Sequence, residues 1–167
     1  MTAMRYEEWA AGVPEAITGD VLWKVEAYRL GVFISEISWH DMNVLWKDPR
    51  TRDLADQLYR ATCSISANLA EGYGHSTGKN RARYFEYSLG SAREARDWYY
   101  KSRHVLGDEI SLHRIKFVTS IIRLLITMIP QQRANGSLRD EKGVYLTSVD
   151  APTNSSDSIC YAEIPLL

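Results

Sequence analysis

The residues with the best claim to chemistry are two glutamates, Glu71 and Glu94, and two polar neighbours, Asn68 and Ser91. They lie in or just beyond segment 61–90, ATCSISANLAEGYGHSTGKNRARYFEYSLG, which reads as the one buried-polar stretch of the chain. Two carboxylates can divide acid and base roles when their environments differ. These two lack a histidine or cysteine partner and a glycine cradle, so they signal catalysis only weakly. Asn68 shares a helical face with Ala61 and Ile65, and a buried amide without partners costs about 1–3 kcal/mol. Asn68, Glu71, Ser91 and Glu94 are therefore read as a structural polar network that fixes helix register and the loop after Gly72.

Other chemistry is poorly supported. His40, His75, His104 and His113 form no i, i+4 pair with one another or with cysteine, so the spacing suggests no metal site. Ser64 and Ser66 lack the glycine context of a nucleophile elbow. The GHSTGKN run lacks the four-residue gap and the ending of a phosphate-binding loop. No cofactor is implied. Cys63 and Cys160 are far apart and form no disulfide framework, which fits a reduced cytoplasmic chain.

Charge is the stronger lead. The 167 residues carry a net charge of −1, but residues 1–49 hold 4 Lys/Arg against 8 Asp/Glu and residues 50–106 hold 10 against 6. Candidate contacts to nucleic acid or a partner are Lys79, Arg81, Arg83, Arg93, Arg96, Lys101 and Arg103, with exposed tyrosine rings among them. Glu86 and Asp97 share that face, so an ordinary solvated helix with i, i+4 pairs competes with this reading. Repetition around a symmetry axis would turn a modest patch into a continuous band.

These residues need helices to position them. Trp23, Ala27, Leu30, Ile34 and Ile37 recur at helical spacing, predicting a helix from an Asp20 cap to about Trp46. Asp48-Pro49 is expected to start the next, with Leu54, Leu58, Ala61, Ile65 and Leu69 inside and Gly72 and Gly74 ending it. A third is expected from about Gly78 to Leu106. Its inner stripe is read as Tyr84, Tyr87, Ser88, Ser91, Ala95, Trp98, Ser102 and Val105. A fourth, about 108–129, carries Ile115, Val118, Ile122, Leu125 and Ile129 inward and is expected to stop at Pro130. Four helices with short connections and no credible strand predict an all-α, antiparallel up-and-down four-helix bundle.

Residues 1–18 read as an arm, 19–130 as the bundle and 131–167 as a disordered, flexible tail rich in Asn, Ser, Asp, Gly and Pro. Short apolar pieces of that tail, Val144-Tyr145-Leu146 and Ile159 to Leu167, could dock on a partner. The start of the chain is acidic and is not read as a signal peptide. The longest apolar run, Ile121–Ile129, is interrupted by Arg123 and falls short of the roughly 20 residues a membrane span needs.

Several of these residues also carry a family resemblance. Gln57 to Ile65, Asn68-Leu69-Ala70-Glu71-Gly72, Tyr84-Phe85, Ser88, and Gly90-Ser91 with Glu94 closely resemble the four-helix bundle proteins encoded in 23S rRNA intervening sequences. That family also includes the accessory variability proteins of diversity-generating retroelements. Asp20-Val21-Leu22-Trp23 resembles the start of the family's first helix, and the likeness covers about residues 20–130. Ser66, Arg81, Ala95 and Trp98 depart from the usual pattern, which has proline, an aromatic, leucine and glutamine there. The resemblance implies a homopentamer, no established enzymatic activity, and, in the retroelement branch, binding to a reverse transcriptase and to nucleic acid. The expected function is therefore a non-enzymatic oligomeric adaptor for nucleic acid, a nucleic-acid enzyme or both. The alternative is a structural protein-interaction module with no nucleic-acid role.

Overall fold

The computed structural model describes residues 3–134 and 164–165. Its four long helices are α3 (Glu26–Leu45), α4 (Arg52–Tyr73), α5 (Gly78–Leu106) and α6 (Asp108–Ala134). Before them come α1 (Tyr6–Gly12), α2 (Glu15–Thr18) and a 3₁₀ turn at Val21–Lys24. A two-residue antiparallel pairing joins Ala3–Met4 (β1) to Ile164–Pro165 (β2). Most of the tail expected to be flexible, including Cys160, lies outside the described residues.

The four long helices form the expected all-α antiparallel bundle. Cross-helix contacts show the alternation of direction. Ser38 meets Thr62 between α3 and α4, Ser88 reaches Ile65 between α5 and α4, and Arg81 reaches Gln132 between α5 and α6. The core runs the length of the bundle through Ile34, Ile37, Leu58, Ile65, Phe85, Phe117, Ile121 and Leu125. Gly72 lets α4 approach α5 closely, since a Cβ there would stand 3.1 Å from Phe85 and Tyr84.

The local starts and stops follow from capping chemistry, with four corrections. Asp20 does cap, accepting from Leu22 N–H at 2.8 Å, but it caps the 3₁₀ turn, and α3 begins only at Glu26. Asp48 does not start α4. Its carboxylate instead folds onto Arg50 through backbone and side-chain hydrogen bonds, and the helix begins at Arg52. Gly74 ends α4 at φ −68°, without left-handed geometry; that geometry appears at Gly107, φ +87°, in the tight α5–α6 turn. Pro130 does not stop α6, which continues to Ala134. Pro130 and Ile126 both lie on the exposed face of α6, where a missing backbone N–H costs least, and the turn beyond is tied to α5 by Gln132 to Arg81 and Arg133 to Glu86.

The inner face of α5 also differs from the expected stripe. Phe85, Ala92, Tyr99 and Leu106 are buried alongside Ser88, Ala95 and Ser102, while Tyr87 is exposed and Tyr84, Ser91, Trp98 and Val105 sit at the flank. The N-terminal arm is packed down. Trp9 and Tyr6 bring their rings to 4.7 and 5.2 Å from Phe33, which in turn meets Phe117 edge-on at 5.9 Å. Among the described residues no helix is long and apolar enough to cross a membrane.

Candidate nucleic-acid interface

Helix α5 carries all seven candidate basic residues, and the structure divides them. Lys79, Arg81 and Arg83 lie in its first two turns; Arg93, Arg96, Lys101 and Arg103 lie in its second half. At 1.5 Å per residue the two groups are about 15 Å apart along the axis.

Arg81 works inside the fold. Its guanidinium donates to Gln132 Oε1 at 3.3 Å and to the His75 carbonyl at 3.4 Å, and it covers the Tyr73 ring at 4.9 Å. The turn between α4 and α5 is therefore held by Arg81 and by the Thr77 cap, which accepts from Asn80 N–H at 3.3 Å. Arg81→Ala is expected to speed amide exchange in residues 74–77 about tenfold, the equivalent of ~1.4 kcal/mol, without unfolding the bundle. Unchanged protection of that turn would contradict the assignment.

The second group forms a regular stripe. Arg93, Arg96, Tyr100 and Arg103 recur at i, i+3, i+7 and i+10 and so line one flank of α5. With Ile115 of α6 and Asp97, the first three border a shallow cleft of about 300 Å³. Arg103 stacks on the Tyr100 ring at 4.1 Å and donates to the Tyr100 carbonyl at 2.8 Å. Cation–aromatic stacking recurs on the outer face, with Lys101 4.4 Å from the Trp98 ring and Arg83 5.6 Å from the Tyr87 ring. The acids on this helix are engaged: Asp97 with Lys101, Glu86 with Arg133, and Glu94 with Trp98 Nε1 at 3.2 Å.

The four residues read as a polar network are placed as follows. Asn68 is half-buried, donates to the Ser64 carbonyl at 2.8 Å and comes within 3.5 Å of Ser91 Oγ. Glu71 and Glu94 are exposed. The Glu71 carboxylate is the chief cause that raises the Tyr84 phenol above its ordinary value. Of these contacts, the one between Glu71 and Tyr84 borders the turn at residues 74–77, where the Tyr84 ring stacks on His75 at 4.7 Å. The Cys63 thiol is pushed up by burial, which disfavours the reactive thiolate.

The deeply buried polar site lies elsewhere, between α3, α5 and α6. Arg114 and Asp41 are both 0% exposed and pair through two parallel hydrogen bonds, Nε to Oδ2 at 2.8 Å and Nη2 to Oδ1 at 3.0 Å. Tyr99 donates to Asp41 Oδ2 at 3.2 Å, and burial, then Asp41, pushes its phenol well above the ordinary range. Arg114 Nη1 lies 3.2 Å from His113 Nδ1. A guanidinium can only donate, so Nδ1 accepts and the neutral ring carries its proton on Nε2. A second bond, Ser38 to Thr62 at 2.7 Å, ties α3 to α4. Asp41, Arg114 and Tyr99 are fully enclosed and offer a substrate no access, so the cluster organises the bundle, with the half-buried His113 at its edge.

Among the described residues no group of three or more His, Cys, Asp or Glu is arranged to hold a metal ion. No curated protein and no solved structure matches the chain at a significant level. The family model for the 23S rRNA-intervening sequence protein matches residues 33–127, from the second turn of α3 through most of α6, and the helices that carry the arginine stripe and the buried ion pair are those of that model. On that match, over more than half of its length, the chain belongs to the 23S rRNA-intervening sequence protein family.

Proposed function

We propose that this protein is a non-enzymatic adaptor that binds nucleic acid through α5 and acts as a homo-oligomer, a pentamer by its family. The observation that supports the reading best is the stripe of Arg93, Arg96 and Arg103 beside Tyr100, on a helix whose carboxylates are already engaged. Guanidinium groups on a rigid helix suit phosphate oxygens, which accept two parallel hydrogen bonds. Family membership is compatible with a nucleic-acid-associated role. Trp39, Trp46, Leu112 and Ile126 are large and exposed, which supports self-association. The same residues favour the second reading, a protein-interaction module, and a reverse transcriptase as partner would be sought among neighbouring genes.

The test is the salt dependence of binding to a structured RNA with both duplex and loops. Binding should weaken steadily as salt rises, and Arg93→Glu with Arg96→Glu should weaken it about tenfold and flatten the dependence by about one to two phosphate contacts. Binding indifferent to salt, or unchanged by the double reversal, would leave the protein-interaction reading.

A further inference from the structure

Resting on that reading, we infer that α5 takes an unpaired strand in preference to a duplex, with bases stacked on Tyr87 and Tyr100 and the strand crossing the helix at Gly90. Both rings are exposed, at 45% and 55%, with Tyr87 meeting the Tyr84 ring edge-on at 5.6 Å. Each is partnered by an arginine of the same helix, Arg83 at 5.6 Å and Arg103 at 4.1 Å. Arg83 is further fixed by its Nε donating to the Tyr87 hydroxyl at 2.6 Å. A positive charge beside a free aromatic face is the composition that holds single strands, because every base has a face to stack and every linkage has a phosphate. A duplex hides its base faces and gains only the charge.

The space between the rings fits a strand that passes close to the helix. Tyr87 and Tyr100 are about 20 Å apart along the axis, on opposite flanks of the outer face. Gly90 lies between them in mid-helix, and a Cβ there would meet nothing within 4 Å. Glycine is among the poorest helix formers, and nothing in the fold around this one requires it. The missing side chain keeps the middle of the outer face low, where an approaching backbone would otherwise be lifted off. Arg93 follows within one turn to meet a phosphate as the strand turns toward the arginine stripe.

The test compares an unstructured oligouridylate with an RNA duplex of equal length at one moderate salt concentration. The wild-type protein should bind the single strand more tightly. Tyr87→Ala with Tyr100→Ala should cost about tenfold or more on the single strand and little on the duplex, and the two phenylalanine replacements should restore binding. Gly90→Leu, on an exposed position with open space around it, should keep the fold and the oligomer mass and still weaken single-strand binding about tenfold. Equal affinity for both RNAs, with Arg93 and Arg96 still required, would overturn this inference and leave the adaptor reading intact. Loss of the Arg93 and Arg96 dependence would remove the adaptor reading itself. A Gly90→Leu protein with altered oligomer mass would also overturn the inference, since Gly90 would then be a contact between subunits.

Discussion

Replacing Arg114 with methionine is expected to destabilise the bundle by about 3–5 kcal/mol. The reason is what it leaves behind. Asp41 is fully enclosed, and its two strongest hydrogen bonds come from the Arg114 guanidinium. Methionine fills much of the same space but donates nothing, so among the described residues the Asp41 carboxylate keeps the Tyr99 hydroxyl alone. The loss should appear as a lower urea midpoint at an unchanged slope. Removing Asp41, Tyr99 and Arg114 together, with Asp41→Leu, Tyr99→Phe and Arg114→Met, should recover most of it, because the enclosed carboxylate and phenol that need Arg114 are then gone. A loss below about 1 kcal/mol for Arg114→Met would show that Asp41 finds water or another partner.

Stability should also fall with acid in a window set by His113. Burial, reinforced by the charge of Arg114, lowers its pKa from 6.5 to about 4. Between those values the unfolded chain takes up a proton that the folded chain refuses, so the folded state loses stability as pH falls from about 6.5 to about 4. The ring is half-buried, so the expected loss is about 1–2 kcal/mol after allowance for solvent screening. Protonation at Nδ1 would turn an acceptor into a cation 3.2 Å from Arg114 Nη1. His113→Gln retains an acceptor without the titration and should flatten the window. Asp48, held at about 2 by Arg50, acts only below its ordinary 3.8, so the two effects separate on the pH axis. An identical pH profile for His113→Gln would place the titration elsewhere.

The bundle was legible because its signal is local. The apolar spacing of α3, α4 and α6 marks most of their inner faces, although Trp23 falls in the 3₁₀ turn and Leu54 and Ile115 are only half-buried, and Gly78 and Gly107 mark both ends of α5. The inner face of α5 was ambiguous for a physical reason. Ser88, Ala95 and Ser102 belong to two stripes of the same period, one completed by Tyr84, Ser91, Trp98 and Val105, the other by Phe85, Ala92, Tyr99 and Leu106. With aromatic and small residues on both, only packing against the other helices selects the second. Pro130 misled because its effect depends on exposure and on anchors in α5, which spacing cannot reveal.

The site divides in the same way. Arg93, Arg96, Lys101 and Arg103 were visible as charges on one predicted helix, whereas the engagement of Arg81 with Gln132, 51 residues away, was not. The Asp41–Arg114 pair joins residues 73 apart. Each looked like an ordinary charge on an amphipathic helix, and the one available hint was that both fall on apolar faces, Asp41 one turn after Ile37 and Arg114 one turn before Val118. Asn68 stood out because it shares a helical face with Ala61 and Ile65, and the structure leaves it half-buried with a local bond to Ser64 and a longer one to Ser91.

The most direct test of nucleic-acid binding through α5 is the light-scattering mass of the full-length protein, alone and with a structured RNA, at low and moderate salt. The expected result is an oligomer that gains the mass of the RNA at low salt and sheds it as salt rises, with Arg93→Glu and Arg96→Glu reducing the gain. A protein whose mass ignores RNA at either salt would contradict it and leave the exposed Trp39 of α3 and Trp46 just beyond it as the surface to pursue.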